Sequence, residues 1–194
     1  MKRIVLLIFT LFPLTSYAQD STLPFRIMVG NEATAIPFTQ VFTTPVHPAI
    51  QIGTEFDWRE SDHFRLYPAV NIGYMFHKRL FQGIYLNGEL GLDFKTNFGL
   101  NLKSALGLGY LRTFTTQQEF QFEDGRYKSD SDRGNSRIMP SLTVGLGYRL
   151  EPSDYQSTEL FILYQSWLEY PYSPGFIPLM SHTNLQIGSK FYPF

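Results

Sequence analysis

From about residue 50 onward, apolar and polar side chains alternate along the chain with a period of two. The clearest stretch is Gly83 to Leu111. Ile84, Leu86, Leu90, Leu92 and Phe94 share one parity, and Tyr85, Asn87, Glu89, Asp93 and Lys95 share the other. After Lys95-Thr96-Asn97 the pattern restarts, with Leu100, Leu102, Leu106, Leu108 and Tyr110 set against Asn101, Lys103, Ala105, Gly107 and Gly109. Successive side chains of a strand point to opposite faces, so this alternation predicts strands, and two runs joined by a short turn predict an antiparallel hairpin. Each run exceeds the ordinary strand of about 5–6 residues and reaches the roughly 9–11 that a tilted strand needs to cross a bilayer. Lipid is therefore expected on the Leu face and a polar interior on the other. A large soluble antiparallel sheet also alternates, so the rest of the chain has to separate the two.

The same parity rule places the other strands. Ile50, Ile52, Phe56 and Trp58 face outward against Gln51, Gly53, Glu55 and Asp57, with a polar turn at 59–63. Phe64, Leu66, Val70, Ile72, Tyr74 and Phe76 face outward against Arg65, Tyr67, Asn71 and Gly73. Beyond Tyr110, the positions Phe114, Thr116, Phe120 and Phe122 carry the strand on to Asp124-Gly125, a hairpin turn. Polar residues 127–135 follow, so this hairpin should rise above the membrane. Ile138, Leu142, Val144, Leu146 and Tyr148 then face outward against Ser141, Thr143, Gly145, Gly147 and Arg149; Pro140 implies the outer rim or a bulge. Leu160 to Leu163 is apolar on both parities, and turning Leu160, Ile162, Tyr164 and Leu168 outward keeps Glu159 and Gln165 out of lipid. The last strand, about 179–191, puts Leu185, Ile187 and Phe191 outward and His182, Asn184, Gln186 and Lys190 inward. Within 24–43, Phe25–Val29 and Ile36–Phe42 both suggest strand. One strand is assigned there, and the other piece is either a periplasmic lead or an inner plug.

This makes eight strands, an even number as in single-chain bacterial barrels. With both termini in the periplasm, the connections at 59–63, 95–97 and 151–156 are short and periplasmic, while 114–136 and 170–178 are outer loops. Trp58, Phe64, Phe94, Phe98, Tyr148 and Phe191 would then mark one interface, and Tyr74, Phe76 and Tyr110 the other. A soluble sheet has no reason to sort aromatics to its strand ends. The expected fold class is all-β: a transmembrane up-and-down antiparallel β-barrel of eight strands, with long outer loops and short periplasmic turns.

Composition adds the compartment. Lys2 and Arg3, the apolar stretch Ile4–Leu14 and Ser16-Tyr17-Ala18 read as a signal peptide over 1–18, leaving 19–194 as one barrel domain with an uncertain lead at 19–44. Ile4–Leu14 is too short to span a bilayer. The chain has no Cys, which excludes a lipoprotein anchor and a disulfide framework. With 16 Lys+Arg against 17 Asp+Glu there is no basic footprint for nucleic acid. The expected location is the outer membrane of a Gram-negative bacterium.

The alternating strands, the two Gly-Leu-Gly-Tyr segments (Gly107–Tyr110 and Gly145–Tyr148) and the aromatic end Gly188 to Phe194 resemble the small outer-membrane barrels of the OmpX and OmpA transmembrane-domain type. Over about Ile50 to Phe194 the chain looks most similar to the uncharacterised outer-membrane barrel proteins of Bacteroidota. The resemblance implies outer-membrane lipid and lipopolysaccharide as surroundings. It also implies the barrel-assembly machinery as a partner that reads the terminal Phe194, with Pro193 a departure from the usual signal.

Candidate chemistry lies in the lumen and at the outer rim. The inward charges Glu55, Asp57, Glu89 and Asp93 against Arg65, Lys103, Arg149 and Lys190 could line a narrow ion path or form a self-paired plug. An eight-stranded interior is just wide enough for side chains, which favours the plug. His47, His77 and His182 fall toward the outer side and His63 toward the periplasm; none has a ligand-like spacing, so neither metal nor cofactor is expected. Ser181-His182-Thr183-Asn184 faintly resembles the His-x-Ser-Asn motif of PagL-type lipid A deacylases. That resemblance would make His182 a base, but Asn184 stands at the nucleophile position and a triad needs all its roles. Tyr170, Tyr172 and Phe176 sit in a Pro-rich loop suited to headgroup anchoring or to a surface partner. The expectation is a non-enzymatic barrel with a structural, adhesive or partner-binding role through its outer loops, against a lipid A-modifying enzyme or a narrow small-solute pore.

Overall fold

The computed structural model describes residues 23–116, 120–123, 125–129, 133–154, 156–173 and 175–193. The segment read as a signal peptide, Asp124 of the outer turn and Phe194 lie outside them. The strands are β1 (Phe25–Ala33), β2 (Pro48–Glu55), β3 (Arg59–Glu60), β4 (Phe64–Phe76), β5 (Phe81–Lys95), β6 (Leu100–Thr115), β7 (Phe120–Glu123), β8 (Arg126–Ser129), β9 (Asn135–Arg149), β10 (Glu159–Glu169) and β11 (Met180–Phe191).

Neighbouring strands pair antiparallel in the order β2-β1-β11-β10-β9-β6-β5-β4, and β2 also pairs with β4, which closes the sheet. Eight staves therefore form a barrel with no free edge. Closure is what permits a strand structure to cross hydrocarbon, because every backbone polar group then has a partner. The short β3 continues the line of β2 along the lower part of β4, with Arg59 opposite Leu66. The hairpin β7–β8 is a separate two-stranded sheet, so β6 ends at Thr115 instead of running on to the turn. Gly125 has φ 76°, the left-handed conformation that its hairpin turn demands.

Alternation in sequence becomes alternation in exposure. Along β5 the burial pattern switches at each of its 15 residues, with Leu86, Leu90 and Leu92 exposed and Tyr85, Asn87, Glu89 and Asp93 buried. The exposed class holds the wide belt of Leu, Ile and Val, from Ile50 and Ile72 on one side to Ile162 and Ile187 on the other. That is the reverse of a water-soluble protein and fits lipid as the surrounding solvent. Trp58, Phe64 and Phe98 are exposed near the end holding both termini, and Tyr74, Phe76 and Tyr110 near the other. Pro140 stays in register with Leu108 of β6, without a bulge. On its other side the ladder lapses between Ser141–Trp167 and the bridge Ile138–Tyr170, so its missing N–H interrupts no regular pair there.

Only one of the two N-terminal candidates is a stave. Phe25–Ala33 is β1, whereas Ile36–Phe42 is a loop, neither a periplasmic lead nor an inner plug. It lies at the outer end, against the outside of the wall: Phe38 N–H donates to the Tyr164 hydroxyl at 2.9 Å, and the two rings stack 5.0 Å apart.

The lumen has two zones. Met75, Phe81, Tyr85, Leu111, Met139 and Trp167 form an apolar cluster in its outer half. Charged and amide side chains dominate the half nearer the termini, around a small apolar cluster of Met28, Phe161 and Leu163. Cross-strand Tyr–Gly pairs keep the interior narrow: Tyr67 faces Gly91 and Tyr85 faces Gly73. A Cβ at Gly91 would meet the Tyr67 ring at 2.4 Å, so the ring occupies the space that glycine leaves.

Candidate functional site: a ring of charge and an outer cup

The inward parity of six strands brings acids and bases to one level of the lumen. Glu55 on β2 pairs with Arg65 on β4, and Arg65 Nη1 lies 3.8 Å from Asp93 Oδ2 on β5. Asp93 Oδ2 takes the Lys103 ammonium of β6 at 2.6 Å, and Lys103 reaches Glu159 on β10 at 3.0 Å. Glu159 binds Lys190 of β11 at 3.0 Å, and Lys190 returns to Glu55 at 3.5 Å. The ion pairs thus close on themselves, with signs alternating at every step. Arg26 of β1 adds a contact to Glu55 at 3.4 Å and approaches Glu89 at 3.8 Å. All of these side chains are buried, which is tolerable because each charge has opposite neighbours.

Of the eight inward charges expected from sequence, Glu55, Arg65, Asp93, Lys103 and Lys190 stand in this ring. Glu89 lies above it, accepting from Asn71 at 2.9 Å and Asn87 at 3.0 Å. Arg149 is buried beside a small basin of about 120 Å³ at the mouth nearer the termini, which Lys95, Asn101 and Tyr192 also line. Asp57 is half out in solvent at the same mouth and still pairs with Arg65. Burial pushes the Tyr192 phenol above its ordinary range, against the pull of Lys190. Sequence alone does not single out Arg26 or Glu159. Arg26 lies in Phe25–Val29, a stretch that suggests strand but is too short to fix its inward face, and Glu159 opens a segment that is apolar on both parities.

The second cluster is at the outer end. His182 is buried and points into the lumen. Its Nδ1 is 2.7 Å from Glu32 and its Nε2 is 3.3 Å from Glu169, while Trp167 stacks on it at 4.0 Å. Arg137 Nε holds the other oxygen of Glu169 at 2.9 Å. The neighbours of its motif do not assemble a nucleophile. Ser181 donates its hydroxyl to Ala35 O at 2.9 Å, and Asn184 is buried in the lumen. His47 and His77 stack in the outer connections at 3.6 Å between centroids, apart from His182, and His63 lies at the opposite end. Partial burial, then the neighbouring His47 ring, hold the His77 imidazole below its ordinary range. Among the described residues no three His, Asp or Glu converge as metal ligands.

Above His182 opens a cup of about 270 Å³, lined by Phe81, Phe114, Arg137, Glu169, Tyr172 and Ser173 among others. Tyr172 thus turns toward the cup instead of the headgroups. Phe176, at 83 % exposure, is the most exposed large apolar side chain of the described residues, and Tyr170 is half exposed.

The closed sheet, inverted polarity and filled lumen define a small transmembrane β-barrel of eight strands. Solved structures of that class are similar to it. Neisserial surface protein A is 13 % identical with a TM-score of 0.57, covering 89 % of this chain and 98 % of its own. The outer membrane enzyme PagL is 11 % identical with a TM-score of 0.50, over 88 % and 99 %. The N-terminal barrel domain of Pseudomonas aeruginosa OprF is 15 % identical with a TM-score of 0.48, over 87 % and 97 %. At these identities the likeness is one of fold. No protein-family profile and no curated sequence relative matches the chain.

Proposed function

We propose that this chain is an integral outer-membrane barrel whose working surface is its outer rim, in a structural, adhesive or partner-binding role. The observation that carries this reading is the self-paired ring from Glu55 round to Lys190, which fills the lumen with its own side chains. With the bore committed to ion pairs, the parts left to meet the outside are the β7–β8 hairpin, the cup and the 170–179 loop. The small outer-membrane barrels of similar fold support the compartment, and the Gly-Leu-Gly-Tyr segments and aromatic C-terminus support a kinship with the barrels of Bacteroidota. Lipopolysaccharide surrounds such a protein, the assembly machinery inserts it through its C-terminal end, and a cleaved signal peptide exports it.

The fold likeness to PagL does not make His182 a deacylase base. His182 is clamped between Glu32 and Glu169 inside the lumen, out of reach of an acyl ester in the leaflet. A small-solute pore is disfavoured by the ring.

The test compares the intact protein with a variant in which residues 117–133 are cut to a tight turn. Both should insert and migrate anomalously until boiled. Only the intact form should let cells attach to surfaces coated with extracellular glycoprotein. Equal attachment by both forms would remove the adhesive role, and discrete conductance in a planar bilayer or a lipid A profile that changes with His182→Ala would sink the reading as a whole.

A further inference from the structure

The connection between β1 and β2 behaves unlike the other outer segments. From Ala33 to Thr54 the sequence contains no Asp, Glu, Lys or Arg, whereas the next outer connection carries Lys78-Arg79 and the β7–β8 hairpin is rich in both signs. Yet Ile36, Phe38, Val41, Phe42 and Val46 are all more than half exposed. An outer loop bathed in water would have no reason to present these side chains together without a charge among them.

Its other side explains where it lies. Asn31, Thr183 and Tyr164 share the parities of the exposed Val29, Ile187 and Ile162, so they point out of the barrel, but all three are buried. The loop reaches this part of the wall and hydrogen-bonds Asn31, Tyr164 and the neighbouring Ser181. Asn31 donates to Thr43 O at 2.8 Å and accepts the His47 N–H at 2.8 Å. Ser181 donates to Ala35 O, and Tyr164 accepts the Phe38 N–H. Phe38 takes φ 64°, a left-handed value a phenylalanine rarely adopts, at the point where the chain turns over the wall. Without the loop, a polar patch on β1, β10 and β11 would face hydrocarbon unpaired, which is costly.

We propose that Thr34–His47 is a lateral flap seated in the outer leaflet. Its polar inner side caps a hydrophilic patch on the barrel wall, and its apolar outer side packs against lipid acyl chains, continuing the belt formed by the staves. The partner is thus the lipid itself, gripped on one flank of the barrel. This rests on the transmembrane reading, and the controls keep the two apart.

The chain has no native Cys, so single-cysteine variants can carry a nitroxide without background. Phe42→Cys and Val41→Cys report on the flap, Leu106→Cys on the belt and Arg126→Cys on the outer hairpin. Each is reconstituted in phosphatidylcholine–phosphatidylglycerol vesicles, and collisions with oxygen are compared with collisions with a water-soluble nickel complex. The labels at 41 and 42 should favour oxygen, as at 106, and oppose the preference at 126. A nickel preference at 41 and 42, with oxygen still preferred at 106, overturns the flap and leaves the barrel. Low access to both reagents at 41 and 42 overturns it in favour of a second copy covering that flank. A nickel preference at 106 overturns both readings together.

Discussion

At His77 the surroundings of one side chain predict how the outer rim responds to pH. It stacks on His47, its Nδ1 accepts the Arg79 N–H at 3.3 Å, and Phe81 flanks it. Burial and the second ring both oppose its charging, while the Glu32 carboxylate opposes them more weakly. A base whose folded pKa is depressed stabilises the folded arrangement fully above its unfolded value, about 6.5 for histidine. That contribution is lost as pH falls from there through the folded value, because the unfolded chain takes up the proton first. The stack should therefore open under mildly acid conditions. In an NMR titration the His77 ring proton should show a midpoint below that of free histidine, and His47→Ala should raise it. A midpoint above about 6.5 would remove the argument.

At the scale of the strand, β6 carries the test of the membrane. Leu106 is 67 % exposed and pairs with Leu90 on one side and Leu142 on the other, so three strands offer one leucine row to the surroundings. Against water this row would be a liability; against acyl chains it is the favoured state. Leu106→Arg should cost about 2–4 kcal/mol near the bilayer midplane, read from unfolding titrations in lipid vesicles. A neutral effect would mean that the leucine row does not face hydrocarbon. Such strands were legible because a half-polar environment writes a period of two directly into the sequence. β10 was harder, since Trp167 faces inward into the outer apolar cluster and Phe161 and Leu163 into a second one with Met28, which blurs the contrast with Leu160 and Ile162 outside. The stretch 34–47 was misleading for a related reason. Its apolar residues look like strand, but they serve a loop laid on the wall, a contact between distant segments that no local period records. The ring was legible as a set of inward charges, whereas its closure depends on which strands pair and at which register.

That closure is a property of the whole molecule. Each ring member comes from a different strand, so the ion pairs tie six of the eight staves at one level, while the backbone ladders bind only neighbours. The ring balances Glu55, Asp93 and Glu159 against Arg65, Lys103 and Lys190, and it tolerates burial only while balanced. Glu55 is the point of greatest leverage, because Arg26, Arg65 and Lys190 from three strands converge on it. Glu55→Gln keeps the size and hydrogen-bonding capacity and removes only the charge, leaving those cations short of one anion. Removing one partner of a buried pair costs about 3–5 kcal/mol, and that loss is expected in the same vesicle titration. Pairing it with Lys190→Met restores the balance of charge, so the double variant should recover part of the loss. The coupling should fall within the roughly 0.5–3 kcal/mol found for residues in one network. Additive losses would mean that water, and not the ring, neutralises these groups. The lumen would then be wet enough to reopen the case for a conducting path.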